Sequence, residues 1–166
     1  MLVIHERIEA QPTWDEELLL TYEARSKSRL RCFTVKGEDV GLFLQRGQPP
    51  LCDGDCLRSQ DGRVVRVCAR PEALLHVTCA NACELTRAAY HLGNRHVAVQ
   101  IGDGWLRLLD DYVLKAMLEQ LGAKVESIEA GFQPEQGAYG GGHHHSHQLE
   151  ADFSYAPRLH QFGGRT

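Results

Sequence analysis

Long apolar runs are missing from this 166-residue chain: no aliphatic stretch exceeds three residues, Leu18-Leu19-Leu20 being one. A membrane-spanning helix needs about 20, so no membrane association is expected. The start of the chain does not compose an export signal either, because His5, Glu6 and Arg7 interrupt the apolar Met1–Ile4 before an h-region can form. A cytoplasmic location is the expectation. Excess positive charge is also lacking, with 18 Lys plus Arg against 22 Asp plus Glu and a net charge of −4. Nucleic-acid binding draws on clustered cations that displace counterions, so no nucleic-acid partner is expected. Enzyme signatures are absent as well. There is no Gly-x-Ser-x-Gly elbow, no P-loop, no Gly-x-Gly-x-x-Gly after a strand and no His-Glu-x-x-His. Asp110 and Asp111 are adjacent, but capping the helix that follows accounts for both. No spacing pairs a nucleophile with a base, and the chain reads as a non-enzyme.

Six cysteines are present, yet none has Cys-x-x-Cys spacing; Cys52/Cys56 and Cys79/Cys83 lie four apart. Without an export signal a disulfide framework is not expected. Cys32 and Cys68 fall in strand-like stretches and read as small buried hydrophobes. Cys52 and Cys56 flank Asp53-Gly54-Asp55, and a structural role is the expectation there too. Apolar residues at 43% and charged residues at 24% are ordinary for a globular chain.

The first seventy residues alternate as β-structure does. Leu2, Ile4 and Ile8 open the pattern, and Glu17–Glu23 is a second apolar-centred run. In Leu30–Val35, Leu30, Cys32 and Thr34 share one face while Arg29, Arg31, Phe33 and Val35 share the other. Lys36-Gly37-Glu38-Asp39 reads as a turn into Val40–Leu44, and Gln60-Asp61-Gly62 as a turn into Val64–Cys68. From Glu72 the rhythm changes. Leu74–Cys79 reads as a strand, and Asn81 caps a helix with Glu84 as its capping-box partner. Leu85, Ala88, Ala89 and Leu92 form its apolar stripe, with Gly93 as the left-handed stop. Val97–Ile101 and Trp105–Leu108 flank Gly102-Asp103-Gly104 as a hairpin. A second helix carries Leu114, Met117, Leu118 and Leu121 and stops at Gly122, and Lys124–Ile128 reads as the last strand. The expected class is therefore α+β: a small all-β domain over 1–70, then a ferredoxin-like βαββαβ domain over 71–138. A flexible histidine-containing tail is expected over 139–166, because Gly140-Gly141-Gly142 and the histidine tract lower its apolar content.

Nine histidines are the chain's outstanding count, and His143, His144, His145 and His147 fall within five residues. Several imidazoles on one segment can gather around a single Ni, Cu, Zn or Co ion. Those four are the candidate ligands in the tail, with His160 a possible addition. Their spacing does not select the metal, since copper binds most tightly at almost any such site. His96 follows Gly93-Asn94-Arg95 at an exposed connection. One imidazole holds a metal weakly, but a two-fold interface presents the same residue from both subunits. His91 reads as a packing residue beside the apolar stripe, and His5 and His76 as ordinary strand residues.

Ala89-Tyr90-His91-Leu92-Gly93-Asn94-Arg95-His96 resembles the hallmark segment of the UreE urease accessory proteins, a family of nickel metallochaperones. The resemblance continues through Val97–Ile101, Asp111-Tyr112-Val113-Leu114, Met117-Leu118 and Phe132–Tyr139. In the first domain, Val35–Leu44 and Gln45-Arg46-Gly47 resemble the family's Gly-Leu-x-Leu-x-Arg-Gly stretch. The resemblance implies a partner-binding β domain, and a homodimer that shares Ni(II) between its two copies of His96. Tail histidines would add ligands or capacity. It further implies delivery to urease through an accessory GTPase and the complex of urease apoprotein with its accessory proteins. Cu(II) or Zn(II) would bind the same imidazoles. Some members carry further histidines at the start of the second helix, where this chain has Asp110 and Tyr112, so those peripheral sites are not expected here.

Two other readings share these residues. A general divalent-metal buffer or sensor would need the same ligands but no urease partner. A ferredoxin-like RNA-binding domain would want aromatics on its central strands, and Val97–Ile101 has none.

Overall fold

The computed structural model describes residues 1–136; the expected tail over 139–166, with His143, His144, His145, His147 and His160, lies outside the described residues. The first unit contains β1 (Leu2–Ile8), β2 (Glu16–Leu20), α1 (Tyr22–Arg25), β3 (Arg29–Phe33), β4 (Asp39–Phe43), β5 (Cys56–Ser59) and β6 (Val64–Ala69). Its six strands order β2-β6-β5-β1-β4-β3, with β1 parallel to β4 and β2 parallel to β6. Period-2 alternation sorts the side chains. Leu30 and Cys32 are half-buried and Thr34 buried, while Arg29, Arg31, Phe33 and Val35 face solvent. Ile4, Leu18, Val40, Leu42, Leu57, Val65 and Val67 are fully buried in one cluster. Each contributes about 1.5–3 kcal/mol by leaving water. The Glu17–Glu23 run is not one strand: Thr21 leaves the extended conformation's ladder and its Oγ1 accepts the Ala24 amide, 3.2 Å, starting α1.

The second unit contains β7 (Pro71–Thr78), α2 (Ala82–Gly93), β8 (Gln100–Gly102), β9 (Trp105–Leu109), α3 (Tyr112–Gln120) and β10 (Lys124–Gly131). The sheet orders β10-β7-β9-β8, every neighbour antiparallel, which is the split βαβ arrangement. Leu85, Ala88, Ala89 and Leu92 of α2 pack with Leu114, Met117 and Leu118 of α3 onto Leu75, Val77, Leu106 and Leu108. The chain is thus α+β, an all-β unit followed by a ferredoxin-like one. Among the described residues no helix is long and apolar enough to cross a membrane.

Three local expectations are corrected. Val97–Ile101 pairs as a strand only from Gln100, because the Val97 amide is drawn back to Leu92 O, 3.2 Å. Gly93 is not the left-handed stop of α2; it stays in the helix, and the positive φ falls on His96. Asp110 takes no part in capping α3. Asp111 alone accepts the Val113 and Leu114 amides, at 2.8 and 3.0 Å, while the Asp110 amide binds Ala73 O in the sheet.

The units are joined through α1. Arg25, 1% exposed, donates from Nη1 to Leu51 O and to Gln133 Oε1, both 2.9 Å, and from Nη2 to Phe132 O. The Tyr22 amide donates to Glu72, 2.8 Å, and the Tyr22 ring meets Phe132 edge-on.

Candidate metal-binding site

His96 is placed by the way α2 ends. The Val97 amide reaches back to Leu92 O, 3.2 Å, and the His96 amide to Gly93 O, 2.9 Å. That crossed pair of bonds is the Schellman motif, whose penultimate residue must enter the left-handed region. Val97 packs on the cluster that contains Leu92, the apolar contact that usually accompanies the motif. The residue so placed is His96, with φ of 54°, and it is the only non-glycine residue with positive φ among the described residues. A side chain there costs about 1–2 kcal/mol relative to the right-handed basin. The helix ending and the packing of Val97 set this backbone, but they would be met without strain by glycine, so they do not account for a histidine there. The last carbonyls of α2 carry partial negative charge toward the same end, which favours a cation there.

The neighbourhood of His96 includes the route to the tail. Glu135 donates its amide to Val99 O, 2.8 Å, and Gln133 donates its own to Gln100 Oε1, 3.1 Å. Residues 132–136 therefore run beside the stretch that follows His96. Gln136 lies within about 20 Å of His96 by this route, counting at most ~3.6 Å per residue plus one hydrogen-bonded crossing.

No group of three or more His, Cys, Asp or Glu side chains among the described residues is arranged to hold a metal. His91 is half-buried, its ring edge-on to Tyr90 at 5.6 Å. His76 accepts from Arg107 Nε at 3.2 Å, and the Arg107 guanidinium stacks 4.3 Å above Trp105. His5 lies 3.1 Å from the Gln60 amide. Tyr112, where a further histidine would stand, is 85% exposed.

The cysteines form no site. Cys56 is buried and its Sγ accepts the Gln11 amide, 3.3 Å; Cys52 Sγ takes the Gln133 amide group, 3.2 Å. Burial pushes the Cys32 thiol up, with Asp39 adding to it, and burial does the same at Cys68 and Cys79. Raised thiols are poor ligands and poor nucleophiles. The residue that sequence reasoning missed is Arg25, whose partners lie 26 and more than 100 residues away.

An all-β unit followed by a ferredoxin-like unit, with one strained, exposed histidine at a helix terminus, defines a two-domain class. Models of the UreE urease accessory protein match in both units, the N-terminal domain over residues 3–70 and the C-terminal domain over 72–161. The chain belongs to the UreE family of urease accessory proteins. A urease accessory protein UreE of Pseudomonas fluorescens strain Pf0-1 is 80% identical over 165 residues, covering 99% of each chain. Those of Azotobacter vinelandii and Ectopseudomonas mendocina are 77% and 72% identical over the same length and coverage. The family is named for an accessory role, not a catalytic one.

Proposed function

We propose that the chain is a nickel metallochaperone, binding Ni(II) as cargo at a homodimer interface through His96 of each protomer. His143, His144, His145 and His147 complete or feed that site. The cargo passes to urease through the accessory GTPase and the complex of urease apoprotein with its accessory proteins, in the cytoplasm. Cu(II) or Zn(II) compete for the same imidazoles. The observation that carries this reading is His96 itself, exposed and held at φ 54° where α2 ends. A carrier must release what it binds. Closed tetrahedral cysteine sites hold metal as part of the fold, whereas one imidazole per subunit supplemented by tail imidazoles leaves an exchangeable ligand set.

The test loads the intact chain and a His96→Ala variant with nickel and mixes each with the accessory GTPase and urease apoprotein complex. Urease activity is then compared with that from the same free nickel. Activation above free nickel by the intact chain, lost in the variant, supports the chaperone. Activation no better than free nickel leaves a metal buffer.

A further inference from the structure

The motif that ends α2 ties two side chains to one bond. The Val97 amide reaches Leu92 O, 3.2 Å, and the His96 amide reaches Gly93 O, 2.9 Å. His96 is thereby the left-handed residue, φ 54°, and Val97 the residue after it. Leu92 is fully buried, and the half-buried Val97 packs on the cluster that contains it. Rotation about the His96 N–Cα bond moves its Cβ and all the chain beyond it together. Between the right-handed basin and the observed angle that rotation is roughly 115–120°. Over it, Val97 leaves the core and the imidazole swings by several ångströms in the same movement. Metal–ligand distances hold to within about 0.2 Å, so an imidazole displaced that far is lost from its site.

We propose that Val97 is a positioning residue for the nickel site: held in the core, it fixes the direction of the exposed His96 imidazole through the one rotation the two residues share. The ending of α3 shows the same motif without a ligand, with Gly122 in the place of His96 and the buried Ala123 in the place of Val97. There glycine enters the left-handed basin freely. At residue 96 glycine would leave the site without its imidazole. A non-glycine residue favours the right-handed basin, so the turn needs an anchor beyond it, and Val97 supplies one. The anchor acts on affinity without touching metal. Where only a fraction of molecules holds the binding geometry, the apparent affinity falls by that fraction. An ion shared by two subunits needs the geometry in both. This inference rests on the nickel reading of His96.

The experiment compares the full-length parent with Val97→Ser, Val97→Ile, Val125→Ser and His96→Ala. Val125 is the matched control, half-buried against the same cluster but on β10. In the metal-free proteins the intraresidue amide-to-Hα Overhauser effect of residue 96 reports positive φ. Calorimetry gives nickel affinity, and the urea midpoint gives stability. Val97→Ser is expected to weaken the Overhauser effect and to lower nickel affinity about tenfold, while Val97→Ile keeps both. Val125→Ser is expected to lower the urea midpoint as Val97→Ser does, with the Overhauser effect and affinity unchanged. Should Val97→Ser not fold, Val97→Ala takes its place. Equal losses of affinity in the two serine variants would reduce Val97 to a stability role and overturn the inference. Loss of nickel in His96→Ala with parental affinity in Val97→Ser would overturn it alone. His96→Ala binding nickel like the parent would overturn the nickel reading beneath it, and the positioning role with it.

Discussion

His96 and Gly122 hold equivalent positions in the two helix endings of the ferredoxin-like unit. After α3, Gly122 stands at φ +87° with its amide on Glu119 O, 3.0 Å, while the Ala123 amide reaches Leu118 O, 3.1 Å. After α2, His96 and Val97 repeat the same two bonds onto Gly93 and Leu92. One terminus uses the residue that fits the left-handed basin at no steric cost, and the other uses a histidine.

Replacing His96 by glycine should therefore relieve strain. The gain of about 1–2 kcal/mol from the left-handed region is offset in part by glycine's greater freedom when unfolded, roughly 0.5–1 kcal/mol. The expected outcome is a urea midpoint equal to or slightly above the parent's, together with weaker nickel binding. A lower midpoint would mean that the imidazole stabilises the fold and that its placement has a structural cause.

Arg25→Ala should destabilise the chain by about 1–3 kcal/mol, since it strips donors from two buried carbonyls and from Gln133 at the junction of the units. Urea unfolding measures it. A loss under about 1 kcal/mol would show that water replaces the guanidinium without penalty.

At Gly102, a Cβ would fall 2.0 Å from the Trp105 ring. Gly102→Ala must push that ring away from Arg107 and His76, at about 1–3 kcal/mol for a forced clash. Loss of near-ultraviolet ellipticity and a shifted tryptophan emission are expected. Unchanged spectra would place the ring elsewhere.

The Asp61 carboxyl is held down, to about 2, first by its bond from Arg63 and then by Ser59. Glu38, on the neighbouring turn, is lowered by the same Arg63. A depressed folded-state value means that the stabilisation is present above the ordinary aspartate range, about 3.9. It is lost as pH falls toward about 2. Asp61→Asn should have a lower urea midpoint than the parent near neutrality, and the gap should close across that window. A gap independent of pH would contradict the ion pair's part in it.

Much of the fold was legible because its periodicities are clean. The alternation of Arg29–Val35 and the stripe Leu85-Ala88-Ala89-Leu92 each name their buried face directly. What misled was local chemistry overridden by a neighbour. Gly93 has the identity of a helix stop, but Val97 must reach Leu92 to cover the core, and that geometry carries the left-handed turn three residues on to His96. Val97 and Val99 alternate like a strand, yet their backbone is spent on the α2 ending and on Glu135. The capping box at α2 differs in detail as well, Glu84 taking the Asn81 side-chain amide at 3.2 Å. At the candidate site, His96 was found from its motif and position, while its strain was invisible without backbone angles. Arg25 left no local signal, since its partners come from loops far apart in sequence.

Calorimetric nickel titration tests the central claim most directly, using the intact chain, His96→Ala, and a chain ending at Gly142. A shared site predicts that His96→Ala loses the tightest binding, half an equivalent per chain for one ion between two subunits, and that truncation lowers capacity. His96→Ala binding nickel like the intact chain would contradict it and would place the metal with the other histidines.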